Sequence, residues 1–158
     1  MRIHQLCIIG VIWSMLFAVA CASSHKAGNV VSGSRAVESL DSALAASKWR
    51  MVSIYMGAKR LDVPTESLVS LSFERADKRI HGKCCNSYFG SYDLKVNKLS
   101  FSKVGATKML CMGPLGEVEK SFFLLLKEEQ TVSISSDTLT LNALSGRVTF
   151  VTEPKAVK

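Results

Sequence analysis

A small, mainly β domain of the α+β class is what this sequence predicts, with a strongly curved or barrel-like antiparallel sheet and one amphipathic helix inserted before the last strands. Three observations carry that reading. Apolar and polar residues alternate at period two through most of residues 49 to 151, the pattern of strands with one buried face. The links between these runs are short and carry turn-forming residues, which makes antiparallel hairpins the natural connection. One stretch, Leu115 to Glu129, instead repeats its apolar residues at intervals of three and four, the spacing of a helix face. At 158 residues the chain has room for one hydrophobic core and no second domain is needed.

In chain order, residues 1–20 read as a signal peptide of the lipoprotein type. Arg2 and His4 precede an apolar run from Leu6 to Ala20 that is short for a membrane span and ends at small residues directly before Cys21,. Ala18-Val19-Ala20-Cys21 is similar to a bacterial lipobox, with Ala18 where Leu is usual, so ordinary signal-peptidase cleavage is the competing reading. If the lipobox is used, Cys21 becomes an acylated first residue, and several acyl chains such as palmitate give the stable anchoring that one chain does not. Residues 21–46, rich in Ser, Ala, Gly and Val, are expected to form a flexible tether. At its end Val37 to Ala46 has the pattern of a short helix with a thin apolar stripe. The folded body is placed at 47–153 and a tail at 154–158.

Trp49 to Tyr55 opens the body as a strand. Val69, Leu71 and Phe73 alternate with Ser70, Ser72 and Glu74, and Leu99 and Phe101 with Ser100 and Ser102. After the helix, Val132 with Ile134, Leu139 with Leu141, and Val148 with Phe150 mark three further strands, separated by Ser136-Asp137 and Ser145-Gly146,. The helix itself places Leu115, Val118, Phe122, Leu125 and Leu126 on one stripe. Gly113 and Pro114 stand at its start, and Glu117 and Glu119 are expected on the polar side, complementing the positive end of the dipole.

The formal charge of +7 is spread along the chain without an arginine-rich block or a nucleic-acid motif, so nucleic acid is excluded as a partner and weak attraction to anionic envelope material is the use expected of it. There is no Walker-type phosphate loop, dinucleotide fingerprint, paired-histidine metal motif or nucleophile elbow. With Cys7 lost with the signal and Cys21 taken by lipid, the mature fold keeps Cys84, Cys85 and Cys111, which in an oxidising compartment means one disulfide and one thiol. Cys84 and Cys85 point to opposite faces of a strand, so they compete for Cys111. Three cysteines with His81 nearby do not have the two separated pairs of a zinc site, and no metal or other cofactor is expected. A constellation of His81, Cys84 or Cys85, and Asp77 or Asp93 can be written down for nucleophilic catalysis, but no motif supports it.

The stretch Ile80 to Tyr92 is the densest cluster of special-purpose residues. Gly82 and Gly90 suit close backbone approach and would bracket a bend, Asn86 suits hydrogen bonding to its own backbone neighbours, and Tyr88 and Tyr92 share one strand face. A functional version has the two tyrosines with Lys83 or Lys95 as an exposed aromatic and basic patch for a partner. About twenty residues later comes Ala106 to Cys111, with Thr107 and Met109. Gly82-x-x-Cys85-Asn86-x-Tyr88-x-Gly90-x-Tyr92, followed by Thr107-x-Met109-x-Cys111 and an amphipathic helix, resembles the META domain family, which includes heat-shock lipoproteins of the HslJ type. The resemblance runs from about Trp49 to about Val151.

That resemblance implies a Cys85–Cys111 disulfide, with Cys85 chosen because it adjoins Asn86 as in the family motif. It implies a monomeric, non-enzymatic lipoprotein supporting the cell envelope under stress. With Ala22 rather than Asp after the acylated cysteine, it favours the outer membrane, on the periplasmic side, over the inner membrane or the free periplasm. The competing reading from a different class is a small-barrel binding module, for an apolar ligand beneath the helix or for a periplasmic enzyme that it inhibits.

Overall fold

The computed structural model describes residues 28–65 and 69–153, with side chains from residue 33 onward. The signal segment, Cys21, the first residues of the expected tether and the tail from 154 lie outside the described residues. Helix α1 (Gly28–Ala45) comes first, followed by β1 (Lys48–Met56), β2 (Lys59–Leu61), β3 (Ser70–Glu74), β4 (Arg79–Lys83), β5 (Ser87–Lys95) and β6 (Lys98–Ala106). Helix α2 (Gly113–Leu125) then precedes β7 (Gln130–Ser135), β8 (Thr138–Asn142) and β9 (Gly146–Thr152).

Every strand pairing is antiparallel, and each strand from β3 to β9 neighbours the next in sequence. The sheet closes on itself because β1 pairs with β3 on one side and with β9 on the other, the latter from Trp49 opposite Thr152 to Met56 opposite Gly146. The result is ring-like without being a complete barrel. Between β6 and β7 the pairing is confined to Lys98 with Thr131 and Leu99 with Gln130, and the excursion through α2 is inserted at this seam. Gln130, fully buried there, donates from Nε2 to the carbonyl of Leu125 at 2.7 Å, holding the helix end to the strand,.

Period-two alternation accounts for the interior. Trp49, Met51 and Ile54 of β1, Leu71 and Phe73 of β3, Leu139 and Leu141 of β8, and Val148 and Phe150 of β9 are all buried. A register shift between Met51 and Ser53 breaks the spacing in β1, which is why Ile54 rather than Ser53 faces inward. Val118, Phe122 and Leu125 of α2, with Leu126 at its C-cap, complete the core. Phe122 packs edge-on against Tyr88 and Phe150 at centroid distances of 5.6 and 6.0 Å, geometry that suits the ring quadrupoles.

Helix α1 differs from the expected tether. It runs the length of Gly28–Ala45, longer than the short helix read from Val37 to Ala46, and its last two turns are attached to the body. Leu44 is fully buried and its carbonyl accepts from Trp49 Nε1 at 2.8 Å. Asp41, also buried, meets Lys78, Arg75 and the Tyr92 hydroxyl. These tertiary contacts stabilise a helix whose own apolar stripe is thin.

Candidate functional site

The family-like residues converge where the β4–β5 turn meets the segment leading into α2. At the centre is Asn86, buried in the Cys84–Asn86 turn. Its Oδ1 accepts from the Thr107 hydroxyl at 2.8 Å and from the Met109 backbone N–H at 2.7 Å. Its Nδ2 donates to Glu119 Oε1 at 2.8 Å and to the Met109 carbonyl at 3.2 Å, with Cys111 Sγ 3.1 Å away. Its backbone N–H donates to the other oxygen of Glu119 at 2.6 Å. An Asn side chain offers two donors and a two-lone-pair acceptor, and here all are consumed within the protein. The expected bonding to its own neighbours is therefore replaced by long-range bonding. A turn followed by a segment with no strand partner leaves backbone groups that an amide can satisfy, and Asn86 satisfies both groups of Met109 at once.

Thr107 extends the junction, since its hydroxyl also accepts from Ser87 N–H and its own N–H donates to the Ser87 carbonyl at 3.0 Å. Cys85 and Cys111 are joined by a disulfide with Cα atoms 6.0 Å apart. Glu119 Oε1 lies 3.3 Å from Cys111 Sγ, a contact without a hydrogen because a disulfide sulfur carries none. The two sulfurs and the Glu119 carboxylate lie within 4.8 Å of one another. That is the spacing of a metal-ligand set, but sulfurs bonded to each other present no thiolate.

Among the described residues Cys84 is the free thiol, and it is buried. Burial pushes the thiol up to about 12, a backbone hydrogen bond at Cys85 opposes this, and the Glu119 charge adds to it. His81 stands on the exposed side of β4 with Nδ1 3.3 Å from Glu74. The structure therefore leaves His81 facing solvent, Cys84 facing the core, Cys85 bonded to Cys111, and Asp93 paired with Lys95.

Tyr88 and Tyr92 are buried on the inward face of β5, which corrects the reading of an exposed aromatic and basic patch. Alternation aims both rings at the core, and each hydroxyl finds one acceptor. Tyr88 crosses β4 to donate to the Ser70 carbonyl on β3 at 2.7 Å. It does so over Gly82, where a Cβ would overlap both the Ser70 oxygen and the Tyr88 hydroxyl. Gly82 is thus explained by close approach, and Gly90 by the register shift between Phe89 and Ser91 in the β5–β6 ladder,. Tyr92 donates to Asp41 Oδ1 at 2.7 Å, with its ring edge-on to Phe73 at 5.2 Å. Burial raises the titration of both hydroxyls above the ordinary phenol range, helped at Tyr88 by the neighbouring Cys84 and at Tyr92 by Asp41.

Sequence reasoning missed two acids. Glu119 is expected on the polar side of its helix and Asp41 carries no expectation of its own, yet both are buried. Glu119 does not sit in the first turn of α2, which holds no acidic residue. It turns inward to Asn86, while Glu117 reaches Lys59 at 2.6 Å. Burial alone would push the Asp41 carboxyl up, but hydrogen bonds from Lys78 and Tyr92 and the charges of Lys78 and Arg75 outweigh it and hold the group below its ordinary range.

No curated protein sequence matches. Among solved structures, an NMR structure of a protein from Burkholderia xenovorans is similar, at 25% identity and a TM-score of 0.62, covering 74% of this chain and 88% of that one. A crystal structure of a DUF4847 family protein from Bacteroides vulgatus ATCC 8482 shares the fold at 14% identity and a TM-score of 0.54, covering 73% and 99% of the two chains. The META domain model matches residues 42–155, so it takes in the last turn of α1, the Asn86 junction and all nine strands, and the chain belongs to the META domain family.

Proposed function

We propose that this protein is an envelope lipoprotein, anchored through acylated Cys21, whose META domain acts as a non-enzymatic support of the cell envelope under stress. The observation that carries the reading is the Cys85–Cys111 disulfide joined to the Asn86 junction. A structural disulfide suits an oxidising compartment, as does the lipobox-like Ala18-Val19-Ala20-Cys21. The polar groups of Asn86, Tyr88 and Tyr92 are bonded within the protein, which supports a role in holding shape rather than in turning over a substrate. An outer-membrane position facing the periplasm fits the Ala22 that follows the cysteine.

Intact-mass measurement of the protein isolated from membranes tests the anchor. A chain beginning at Cys21 with a multi-acyl mass increment is expected, and an unmodified chain beginning at Ala22 or later overturns it. Crosslinking in heat-stressed cells tests the role. Recovery of envelope components is expected, and a hydrolytic activity abolished by His81→Ala with the fold intact would overturn the non-enzymatic reading.

A further inference from the structure

The outer surface formed by the first half of β5, the last half of β6 and the 107–112 segment is apolar and basic at once. Leu110, Met112, Met109 and Phe89 are 87, 79, 59 and 54% exposed. Lys83, Lys103 and Lys108 are exposed in the same region. No Asp or Glu occurs from Lys83 to Tyr92 or from Lys98 to Gly116. Glu119 is turned inward onto Asn86, and Glu74, which shares a shallow pocket with Phe89, is met there by His81 and Arg79.

These residues form one continuous surface. Lys83 pairs with Ser87, Ser87 is bonded to Thr107, and Phe89 pairs with Gly105 across the ladder. The 107–112 segment is held at both ends, by Asn86 at Thr107 and Met109 and by the disulfide at Cys111. Large side chains kept in water by a stiff frame mark an interaction surface. A second copy of the chain is a poor occupant, because a stable interface needs roughly 20–30 residues a side and the symmetric contact would set lysine against lysine. A projecting apolar tip flanked by lysines, with an aromatic ring behind it, instead has the chemistry of a lipid interface, where acyl chains take the apolar groups and anionic headgroups the ammonium groups.

We infer that Met109, Leu110 and Met112 insert into the surface layer of an anionic phospholipid bilayer, with Lys83, Lys103 and Lys108 on its headgroups. The inference rests on the envelope reading only in requiring a membrane within reach. It concerns a contact made by the folded domain, separate from any acyl anchor.

Tryptophan placed at the tip reads that contact directly. The mature chain from Cys21 carrying Leu110→Trp is mixed with vesicles of phosphatidylcholine alone or with phosphatidylglycerol, with or without brominated acyl chains, and the emission of its native Trp49 is subtracted using the unsubstituted protein. Leu144→Trp, at a fully exposed position in the β8–β9 turn, is the control. Blue-shifted, bromine-quenched emission from position 110 on phosphatidylglycerol vesicles, absent at position 144, is expected. Replacing Lys83, Lys103 and Lys108 together by Gln should weaken partitioning about a hundredfold, at about fivefold per lysine. Position 110 no more quenched than position 144 overturns the inference, as does equal quenching on neutral vesicles. A blue shift in the absence of vesicles that grows with protein concentration would assign the surface to self-association and overturns it too. Because the probe reads immersion at one side chain, it answers independently of whether Cys21 is acylated, which the intact mass decides.

Discussion

Asn86 and Glu119 hold each other by two hydrogen bonds, the backbone N–H and the side-chain amide of Asn86 each donating to a different oxygen of the Glu119 carboxylate. The pair ties the β4–β5 turn to α2 across 33 positions of sequence. Glu119→Gln would set one amide N–H against an Asn86 donor and lose a charge-assisted bond, so a stability loss of about 2–3 kcal/mol is expected in urea denaturation. Asn86→Asp should cost at least as much, since it brings a second carboxylate to Glu119. The double variant Asn86→Asp with Glu119→Gln restores a donor facing an acceptor and should recover part of the loss. Strict additivity of the two single losses would show that the pair is not coupled.

The disulfide closes a loop over a separation of 26 residues. In the chain-entropy model a loop of this size stabilises the fold by about 3.5 kcal/mol, a large share of the ~5–15 kcal/mol typical of a domain. Cys111→Ser should therefore lower the melting temperature strongly, and Cys85→Ser equally. Peptide mapping of the oxidised protein should return Cys84 unmodified and the other two as one linked pair.

Cys84 should be inert in the native state. Its thiol is buried and titrates near 12, so alkylation at neutral pH requires opening of the fold. Labelling should track the unfolded fraction in denaturant, and rapid labelling of the native protein would contradict the buried position. Cys84→Ala, which keeps most of the packing, should cost only about 1 kcal/mol.

Acid should loosen α1 before it unfolds the sheet. The carboxyl of Asp41 is held below its ordinary value of 3.8 when folded. Its contribution is fully present above that value and is lost as the pH falls through the lower, folded one. Asp41→Asn should remove this acid dependence and destabilise the α1 contact at neutral pH, and Tyr92→Phe should reproduce part of the effect. Hydrogen exchange in Val37–Leu44 reads it, and an unchanged acid profile in Asp41→Asn would refute the assignment.

Gly82→Ala tests close approach. The added methyl meets the Ser70 carbonyl as well as the Tyr88 hydroxyl, and backbone does not yield as a side-chain end does, so a loss of about 2–3 kcal/mol is expected. Combining it with Tyr88→Phe should not restore stability, because the Ser70 oxygen remains in the way.

Much of this architecture was legible because it depends on local periodicity. Leu139 with Leu141 and Val148 with Phe150 declare their strands by alternation, and Val118, Phe122 and Leu125 declare the helix by spacing. What was not legible was the destination of polar side chains. Glu119 falls between Val118 and Phe122 on the buried stripe of α2, and Asp41 falls between Leu40 and Leu44 on that of α1. A carboxylate interrupting an apolar stripe is the available signal, and it conflicts with the polar-side expectation for Glu119. Its partners, Asn86 for one and Lys78 with Tyr92 for the other, lie more than 30 residues away, where no local pattern reaches. Strand β2 escaped for a different reason, since three residues are too few to establish a period.

The clasp between β1 and β9 sets the order in which the molecule can be completed. Its seven partnered positions join the first strand to the last, so a chain emerging amino end first holds β1 with one edge unfilled until Gly146–Thr152 has been synthesised. Hairpins such as β3–β4 and β5–β6 are local and free to form early, but ring closure waits for nearly the whole chain. Truncation within β9 should therefore leave the interval between first and last strand permanently open, an edge available to any extended peptide that reaches it.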